Sequence, residues 1–190
     1  MTKKKQSWLV AAIVLIALVL DQVSKVYVKT HFDYGEAHEV FSWFWITFIE
    51  NPGMAFGIEW FSKLLLTLFR IVAVGLLGWY IYILINKQKV RVGYLTTIAM
   101  VMAGALGNII DCVFYGRIWN YAGWFYGKVV DMLYFPIIRN AAGECVFFQP
   151  VFNIADSFIT VAVFLIIIFY RKDLDASLEQ IFPKKKSEQQ

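Results

Sequence analysis

Residues 8–28 read Trp-Leu-Val-Ala-Ala-Ile-Val-Leu-Ile-Ala-Leu-Val-Leu-Asp-Gln-Val-Ser-Lys-Val-Tyr-Val, an apolar run that meets an acid only near its end. A transmembrane helix needs about 20 predominantly apolar residues. Three further runs meet this requirement, at 62–85, 92–114 and 154–170. The 190-residue chain is 59% hydrophobic, and its mean hydropathy is +0.59. These features predict a single integral membrane domain over residues 1–190 with four transmembrane helices.

Basic residues indicate how the helices are oriented. Lysine and arginine cluster at 3–5, at 87–91 and at 171–172. By the positive-inside rule, both termini and the link between the second and third spans are cytoplasmic. The segments 32–61 and 115–151 are then external, and the tail 171–190 is cytoplasmic with a short helix. The net charge of +4 therefore reflects membrane topology, and we expect no nucleic-acid binding.

The two external segments differ in composition. Residues 40–49 are rich in aromatic and β-branched residues, which predicts a small extracytoplasmic β-sheet between helices 1 and 2. Turn residues at 51–53 end it. The longer connection 115–151 holds several glycines and prolines, so we expect a long irregular external loop between helices 3 and 4. Loops of this length commonly form lids or binding loops.

Several polar residues fall inside the apolar runs, where each is costly unless it is paired or functional. A helix rises about 1.5 Å per residue, so the distance from the nearest basic cluster estimates the depth. Asp156 lies roughly 22 Å from the cytoplasmic interface, Asp21 roughly 24 Å, Asn108 about 25 Å and Asp111 about 30 Å. We therefore expect three helices to bring these side chains into one layer near the outer surface.

Spacing within this layer indicates pairs. Asp21 and Lys25 are four residues apart with the acid first, and mutual neutralisation is the simplest interpretation. Asn108 shares a helix face with Asp111, and Asn153 shares one with Asp156. These arguments alone place Asp156 in a site and rank Asp111 beside it. They leave Asp131 undecided, because it lies in the external connection.

A carboxylate pair is the chemistry that fits. The chain has no Gly-x-Ser-x-Gly or His-Glu-x-x-His motif, and its two histidines lack metal-ligand spacing, so we expect no metal and no cofactor. Adjacent helical residues such as Ser24 and Lys25 do not face one another. Two aspartates in a low-dielectric site share one proton, so one can activate water while the other polarises a carbonyl.

A small proton-linked transporter or channel subunit is the alternative function. Submerged acids would then form a proton relay, which needs ionisable groups through the whole membrane depth. We find only Arg70 for the inner half of the spans, so the sequence favours an enzyme. A membrane scaffold explains none of the submerged acids.

Five motifs occur in order along the chain. They are Asp-Gln-Val-Ser-Lys at 21–25, Asn-Pro-Gly-Met-Ala-Phe at 51–56, Gly-Asn-Ile-Ile-Asp at 107–111, Val-Val-Asp at 129–131 and Phe-Asn-Ile-Ala-Asp at 152–156. In these motifs and in its four-span frame, nearly the whole chain resembles the bacterial lipoprotein signal peptidases, or signal peptidase II. The resemblance implies an aspartic endopeptidase of the bacterial cytoplasmic (inner) membrane. It would cleave diacylglyceryl-modified prolipoproteins just before the lipidated cysteine.

The resemblance also implies the site residues. The catalytic dyad maps onto Asp131 and Asp156. Positions that support the site or bind substrate map onto Asp21, Lys25, Asn51, Gly53, Asn108, Asp111 and Asn153. A mobile external segment near the dyad corresponds to residues 132–150. The implied partners are diacylglyceryl-prolipoprotein substrates, membrane lipid and the cyclic peptide inhibitors of the family, and we expect a monomer.

The chain departs from the family pattern at two places. Cys112 stands where the family has arginine, and Arg117 or Arg139 is expected to supply the missing charge. Residues 117–126 look like an insertion. Cys112 and Cys145 both fall on the external side, which leaves open a disulfide or a free buried thiol.

Overall fold

The computed structural model describes residues 1–52, 61–139, 145–147 and 150–183. Gly53, one of the expected site residues, lies outside these ranges.

Four long helical stretches dominate the described chain. Helix α1 covers Lys3–His31, α2 Phe61–Lys87, α3 Val92–Ile110, α4 Gly116–Ile118, α5 Ile154–Leu165 and α6 Arg171–Ile181. Two π-helical turns, Asp111–Tyr115 and Ile166–Tyr170, join α3 to α4 and α5 to α6. Within the described ranges, four stretches are long and apolar enough to cross a membrane: Lys3–His31, Lys63–Lys87, Val92–Ile118 and Ile154–Ile181. The predicted α-helical membrane fold is confirmed.

Helix α3 is the centre of the bundle. It makes its most extensive contacts with α5 and α1, and it also packs against α2. Half of its most apolar stretch is buried inside the protein, whereas the other three spans are mostly exposed along theirs. The small residue Gly107 allows this close packing, because an added Cβ there would lie 3.1 Å from the Cβ of Ala155 on α5.

A four-stranded antiparallel sheet lies next to the bundle. Strands β1 (Ala37–Phe41) and β2 (Phe44–Asn51) form a hairpin between α1 and α2. Strands β3 (Val129–Tyr134) and β6 (Val151–Phe152) come from the connection after α4, and the order is β1-β2-β3-β6. The predicted small sheet between helices 1 and 2 is therefore confirmed. A separate pair joins β4 (Ile138–Arg139) to β5 (Cys145–Phe147).

Our expectation of an irregular connection over 115–151 was wrong at two places. The third span continues as helix through Ile118, and Asp131 lies within strand β3 rather than in a loop. Asn51 is likewise the last residue of β2, where it pairs with Val129. The glycines and prolines of this connection suggested a loop. Strand β3 pairs with β2, which is about 80 residues away in sequence, so no local sequence pattern indicates β3.

An apolar cluster fixes the sheet to the helices. Val28 of α1, Phe48 of β2 and Tyr115 pack with Val130 and Met132 of β3. Successive side chains of a strand point to opposite faces. Because Val130 and Met132 face this cluster, Asp131 between them faces the other way, towards the end of the bundle.

Candidate active site

Asp131 is held at the middle of the four-stranded sheet, and it is only 3% exposed. Its Oδ2 accepts a hydrogen bond from the Asn51 side chain at 3.1 Å, and its Oδ1 accepts one from the Asn153 side chain at 2.7 Å. Strand pairing between β2 and β3 brings Asn51 to this position. The Asp131 carboxyl thus has a defined orientation.

Asp156 lies in the first turn of α5 and is half-buried. Its backbone N–H donates to Asn153 Oδ1 at 2.9 Å, and its Oδ2 accepts from the Asn153 backbone N–H at 3.4 Å, which forms a reciprocal capping box. Its Oδ1 accepts a 2.7 Å hydrogen bond from the Asn108 side chain of α3. Helix capping and interhelix contact therefore fix this second carboxyl.

Asn153 joins the two carboxyl groups. Its side chain donates both to Asp131 and, at 3.2 Å, to the oxygen of Asn108, while its own oxygen caps α5. The residue is completely buried. A strand carboxyl and a helix carboxyl thus converge on one asparagine, even though Asp131 and Asp156 belong to different elements.

Burial raises the pKa of Asp131 to about 6. Loss of hydration is the main cause, because it disfavours the charged carboxylate. The hydrogen bonds from Asn51 and Asn153 oppose the rise, whereas the nearby Asp156 adds to it. The Asp131 carboxyl therefore binds a proton more readily than an exposed aspartate does.

A buried charge cluster lies beneath the two carboxyls. The Lys25 ammonium contacts Asp21 at 2.9 Å, Asp111 at 2.7 Å and the Asn108 side-chain oxygen at 3.0 Å. Lys25 and Asp111 are both completely buried. The expected pairing of Asp21 with Lys25 is present, and Asp111 joins the same ammonium. Because Lys25 also contacts Asn108, the cluster orients the amide that holds Asp156.

Asp21 links this cluster directly to helix α5. Its Oδ1 accepts a 2.9 Å hydrogen bond from the Ala155 backbone N–H, next to Asp156. A first-turn N–H has no partner within its own helix, so an acid from a neighbouring helix can satisfy it. Asp21 therefore helps to set the position of the helix that carries Asp156.

Gln22 belongs to the cluster, and the sequence argument missed it. Its amide nitrogen donates to Asp111 Oδ1 at 2.9 Å, to Asp21 Oδ2 at 3.1 Å and to the Gly107 carbonyl at 3.2 Å. Its oxygen accepts from the Tyr115 hydroxyl. The available signal was a second polar residue beside Asp21 inside an apolar run.

The geometry favours a supporting position for Asp111 over the catalytic one that we ranked beside Asp156. Both of its oxygens are engaged, one with Gln22 and the other with Lys25 and the Val130 backbone N–H. Val130, whose N–H lies 3.4 Å from Asp111, immediately precedes Asp131 in strand β3. Asp111 therefore ties the buried cluster to the strand.

The positive charge near Cys112 comes from an unexpected helix. Arg70 of α2 donates a 3.0 Å hydrogen bond to the Cys112 sulfur, whereas the Arg117 side chain is exposed. The side chain of Arg139, the other expected partner, lies outside the described part of the structure. Arg70 thus lies at the level of the acids and not in the inner half of the spans. Cys112 and Cys145 are both free, and Cys112 is buried, so the open choice between disulfide and thiol resolves to thiols.

The segment between α4 and β3 is anchored beside strand β2. Glu50 of β2 forms ion pairs with Lys29 of α1 and, at 2.9 Å, with Lys128. The ammonium groups of Lys29 and Lys128 also lie 5.2 and 5.5 Å from the ring centre of Tyr121. Partial burial opposes the charge of Glu50, but the two lysines outweigh it and lower its pKa. These contacts hold residues 119–128 against the sheet.

An apolar groove of about 490 Å³ opens on the side of the sheet that carries Met132. It runs between α1, the sheet and the start of α5, and its lining includes Leu20, Val23, Tyr27, Met132 and Ile154. Met132 follows Asp131 in the chain, and Ile154 follows Asn153. The groove is apolar along its lining and can therefore take a hydrocarbon group.

The arrangement is suited to general acid–base chemistry on a carbonyl. Two carboxyl groups with fixed amide partners lie at the edge of an apolar environment, where a proton can be held between acid and base. In the ranges that the structure describes, no three His, Cys, Asp or Glu side chains are grouped to hold a metal ion.

Comparisons with known proteins point to one family. A family model described as signal peptidase (SPase) II matches residues 13–171. The lipoprotein signal peptidase of Porphyromonas gingivalis is 40% identical over 94% of this chain and 90% of its own length. That of Amoebophilus asiaticus is 36% identical over 95% of this chain and 82% of its own.

Solved structures show the same fold. A bacterial membrane enzyme determined by the in meso method at 1.9 Å resolution has a TM-score of 0.67 and 32% identity, over 86% of this chain and 93% of its own. A second such enzyme, at 2.3 Å resolution, has a TM-score of 0.64 and 30% identity, over 95% of this chain and 94% of its own.

Proposed function

This chain belongs to the signal peptidase II family, and from that premise we propose that it is an aspartic endopeptidase acting on diacylglyceryl-modified prolipoproteins. Asp131 and Asp156 are the catalytic dyad, and the scissile bond lies just before the lipidated cysteine. The observation that carries the proposal is the convergence of both carboxyls on the buried Asn153, whose side-chain amide donates to Asp131 and whose backbone N–H donates to Asp156.

The two carboxyls have different surroundings, which assigns their roles. Asp131 is buried and its pKa is raised to about 6, so it retains the proton of the pair more readily. Asp156 is less buried, and its Oδ2 accepts a hydrogen bond from the Asn153 backbone N–H in the first turn of α5. Asp156 therefore acts as the base that deprotonates water, and Asp131 as the acid.

The reaction then follows from these roles. Water, deprotonated by Asp156, attacks the scissile carbonyl while Asp131 donates its proton or a hydrogen bond to the developing oxyanion. Asp156 carries the proton from water and passes it to the departing amine, and a proton that Asp131 has given to the oxyanion returns to Asp131 as the new carboxyl group forms. Asn51, Asn108 and Asn153 keep the two carboxyls in place, because each donates to one of them.

The remaining residues of the site have supporting roles. Asp21, Lys25 and Asp111 form the buried cluster that orients Asn108 and the start of α5. Asn51 holds Asp131 from the sheet. Gly53 is assigned to this group from the resemblance alone.

The proposed substrate fits the location of the site. The basic residues at 3–5, 87–91 and 171–172 lie at the opposite end of the helices from the dyad. The positive-inside rule puts that end in the cytoplasm and the dyad at the extracytoplasmic face of the inner membrane. We assign the apolar groove lined by Met132 and Ile154 to the diacylglyceryl group, so that the lipid stays in the bilayer while the peptide bond meets water.

The test compares two forms of one prolipoprotein with the purified protein in detergent. The diacylglyceryl-modified form is expected to release its signal peptide and to leave a product that begins with the lipidated cysteine, as mass spectrometry would show. Equal cleavage of the unlipidated form, or a cut elsewhere, contradicts the substrate assignment. Proton flux in liposomes without cleavage would support the transporter alternative.

A further inference from the structure

The segment between α4 and β3 has a composition of its own. Residues 119–126, most of the stretch that looks like an insertion, include five aromatic side chains. Tryptophan and tyrosine are enriched where a membrane meets water, because each ring is largely apolar but carries a polar group. The roles given above to the dyad and to the buried charge cluster involve none of these five side chains. The site therefore does not explain the aromatic composition of the segment.

The segment folds back onto the C-terminal end of the third span. The Phe125 N–H donates to the Val113 carbonyl at 3.1 Å. Two residues later, the Gly127 N–H donates to the Cys112 carbonyl at 2.9 Å. The last carbonyls of a helix have no partner within that helix. The segment therefore supplies hydrogen bonds that the end of the span needs.

The backbone of the segment is held in one position. A Cβ at Gly127 would lie 1.9 Å from the Asp111 carbonyl oxygen, so this close approach requires glycine. Phe125 has a φ of 69°, in the left-handed region that bulky residues rarely adopt. The buried Lys63 ammonium of α2 donates to the Tyr126 carbonyl at 2.9 Å. Contacts with α2 and α3 therefore make the segment a fixed part of the protein surface.

Three exposed apolar side chains adjoin one another on this surface. Phe114 is 40% exposed, Ile118 is 60% exposed and Trp124 is 52% exposed. Phe114 and Ile118 are four residues apart along the helix and share a face. The ring of Trp124 lies edge-on to the ring of Phe114, with 5.6 Å between the ring centres. We call these three residues the Trp124 patch, and contiguous exposed apolar side chains of this kind mark interaction surfaces.

The length of the third span places the Trp124 patch at a membrane surface. The span covers Val92–Ile118, which is 27 residues, so it is about 40 Å long. A hydrocarbon core is about 30 Å thick, and the headgroup layers extend the bilayer to about 40–45 Å. An average tilt of about 20° shortens the span by only about 2 Å. Because the basic link 87–91 lies at one surface, Phe114 and Ile118 lie in the headgroup layer at the other.

The charges near the patch favour a phospholipid surface. Residues 112–130 include two basic side chains, Arg117 and Lys128, and no acidic one. Lys128 is paired with Glu50, whereas the exposed Arg117 forms no ion pair within the described ranges. Basic residues at a membrane surface are attracted to anionic lipid headgroups. Arg117 precedes Ile118 directly, so a positive charge accompanies the apolar patch.

We propose that the Trp124 patch and Arg117 dock onto the phospholipid leaflet on the side of the dyad. The three apolar side chains enter the boundary between headgroups and acyl chains, and the guanidinium lies against lipid phosphates. Strand β3 begins at Val129, directly after this segment, so the contact holds the start of β3 at the membrane surface. The proposal concerns lipid contact alone and does not depend on the proposed cleavage activity.

Spin labelling of the full chain in vesicles of phosphatidylethanolamine and phosphatidylglycerol tests the proposal. Nitroxide labels are attached to Ile118→Cys and, separately, to Trp124→Cys, so that each protein keeps the other residue of the patch. Both carry Cys145→Ser, and labelling of Cys145→Ser alone measures any reaction at the buried Cys112. Power saturation then compares collisions of the label with oxygen, which concentrates in lipid, and with a nickel chelate, which stays in water.

Two reference positions calibrate the ratio of oxygen to nickel collisions. Leu15→Cys, at a side chain that is 64% exposed in the middle of α1, reports the lipid interior. Asp33→Cys, at an exposed acid beyond the end of α1, reports water. Thermal unfolding shows that each labelled protein is folded. Since no measurement uses cleavage, failure of the proposed protease activity would leave the result unaffected.

We expect the ratio at both patch positions to be several-fold higher than at Asp33→Cys and lower than at Leu15→Cys. A ratio equal to that at Asp33→Cys would place the patch in water and overturn the proposal. Few collisions with either reagent would show that protein, such as a second copy of the chain, covers the patch, and would overturn it equally.

Arg117 is tested in the labelled Trp124→Cys protein. Arg117→Glu places a negative charge against the lipid phosphates, so the ratio of oxygen to nickel collisions should fall several-fold towards that of water. Arg117→Lys keeps the positive charge and should leave the ratio unchanged. The same ratio for both substitutions would contradict the contact between Arg117 and the headgroups.

Discussion

The Asn153 side chain donates a 2.7 Å hydrogen bond to Asp131, and the same residue begins the helix that carries Asp156. One buried asparagine therefore sets the position of both carboxyls. Capping needs only the side-chain oxygen of Asn153, whereas the contact with Asp131 needs its amide nitrogen. These two tasks can be separated by substitution.

Asn153→Ser is the variant that separates them. Serine is as good an N-cap as asparagine, so the melting temperature in detergent should stay within a few degrees of the wild type. Serine lacks the amide that reaches Asp131, so we expect kcat to fall about 10- to 100-fold. Asn153→Ala, which loses both functions, should lower the melting temperature as well. Full activity of Asn153→Ser would contradict the role given to this hydrogen bond.

Asp21→Asn should mainly destabilise the fold. It removes one of the two carboxylates that neutralise the buried Lys25 ammonium, and breaking a buried ion pair costs about 3–5 kcal/mol. Its melting temperature should therefore fall further than that of Asp131→Asn. Asp33→Asn, at an exposed acid, serves as the control and should leave the melting temperature unchanged. An unchanged melting temperature for Asp21→Asn would show that Asp111 alone suffices for Lys25.

Gly107→Ala tests the close contact between α1, α3 and α5. An added Cβ would lie 2.5 Å from Asp21 Oδ2 and 3.1 Å from the Ala155 Cβ, so the helices must separate. Thermal unfolding should show a loss of several degrees, with lower activity because Asp21 holds the start of α5. Gly75→Ala in α2 meets nothing within 4 Å and should be neutral or slightly stabilising.

The raised pKa of Asp131 predicts how stability depends on pH. Its value of about 6 in the folded protein lies above the usual 3.8, so the folded state binds this proton more tightly than the unfolded state. The stabilisation of the folded state by the Asp131 carboxyl is therefore complete below about pH 4 and is lost as pH rises to about 6. The melting temperature of the wild type minus that of Asp131→Asn should fall between pH 4.5 and pH 7. A difference that stays constant or rises would contradict the shift.

Sequence reasoning could predict the helices and the layer of polar residues. Apolar runs of spanning length are a local signal, and counting residues along a helix estimates depth without any knowledge of packing. The contacts of Lys25 with Asp111 and of Asn108 with Asp156 lie in that predicted layer. Helical spacing also predicted the Asp21–Lys25 pair.

The rest depends on contacts between distant parts of the chain. The position of Asp131 is set by the pairing of β2 with β3. Residue spacing alone assigns Asp131 to a loop, and only the resemblance assigned it to the site. Arg70 reaches Cys112 from another helix, so the residues next to Cys112 in sequence could not identify its partner. Gln22 was missed for a different reason. The sequence shows its polar side chain within an apolar run, but it does not show the three acceptors that this side chain contacts.

Cleavage by purified Asp131→Asn and Asp156→Asn tests the catalytic dyad most directly. Each variant is incubated with diacylglyceryl-modified prolipoprotein after thermal unfolding has shown that it is folded, and Asp33→Asn is the matched control. We expect both variants to lose at least about 1,000-fold in kcat, because neither carboxyl can replace its partner as base or acid. Wild-type turnover by either folded variant would contradict the aspartic mechanism.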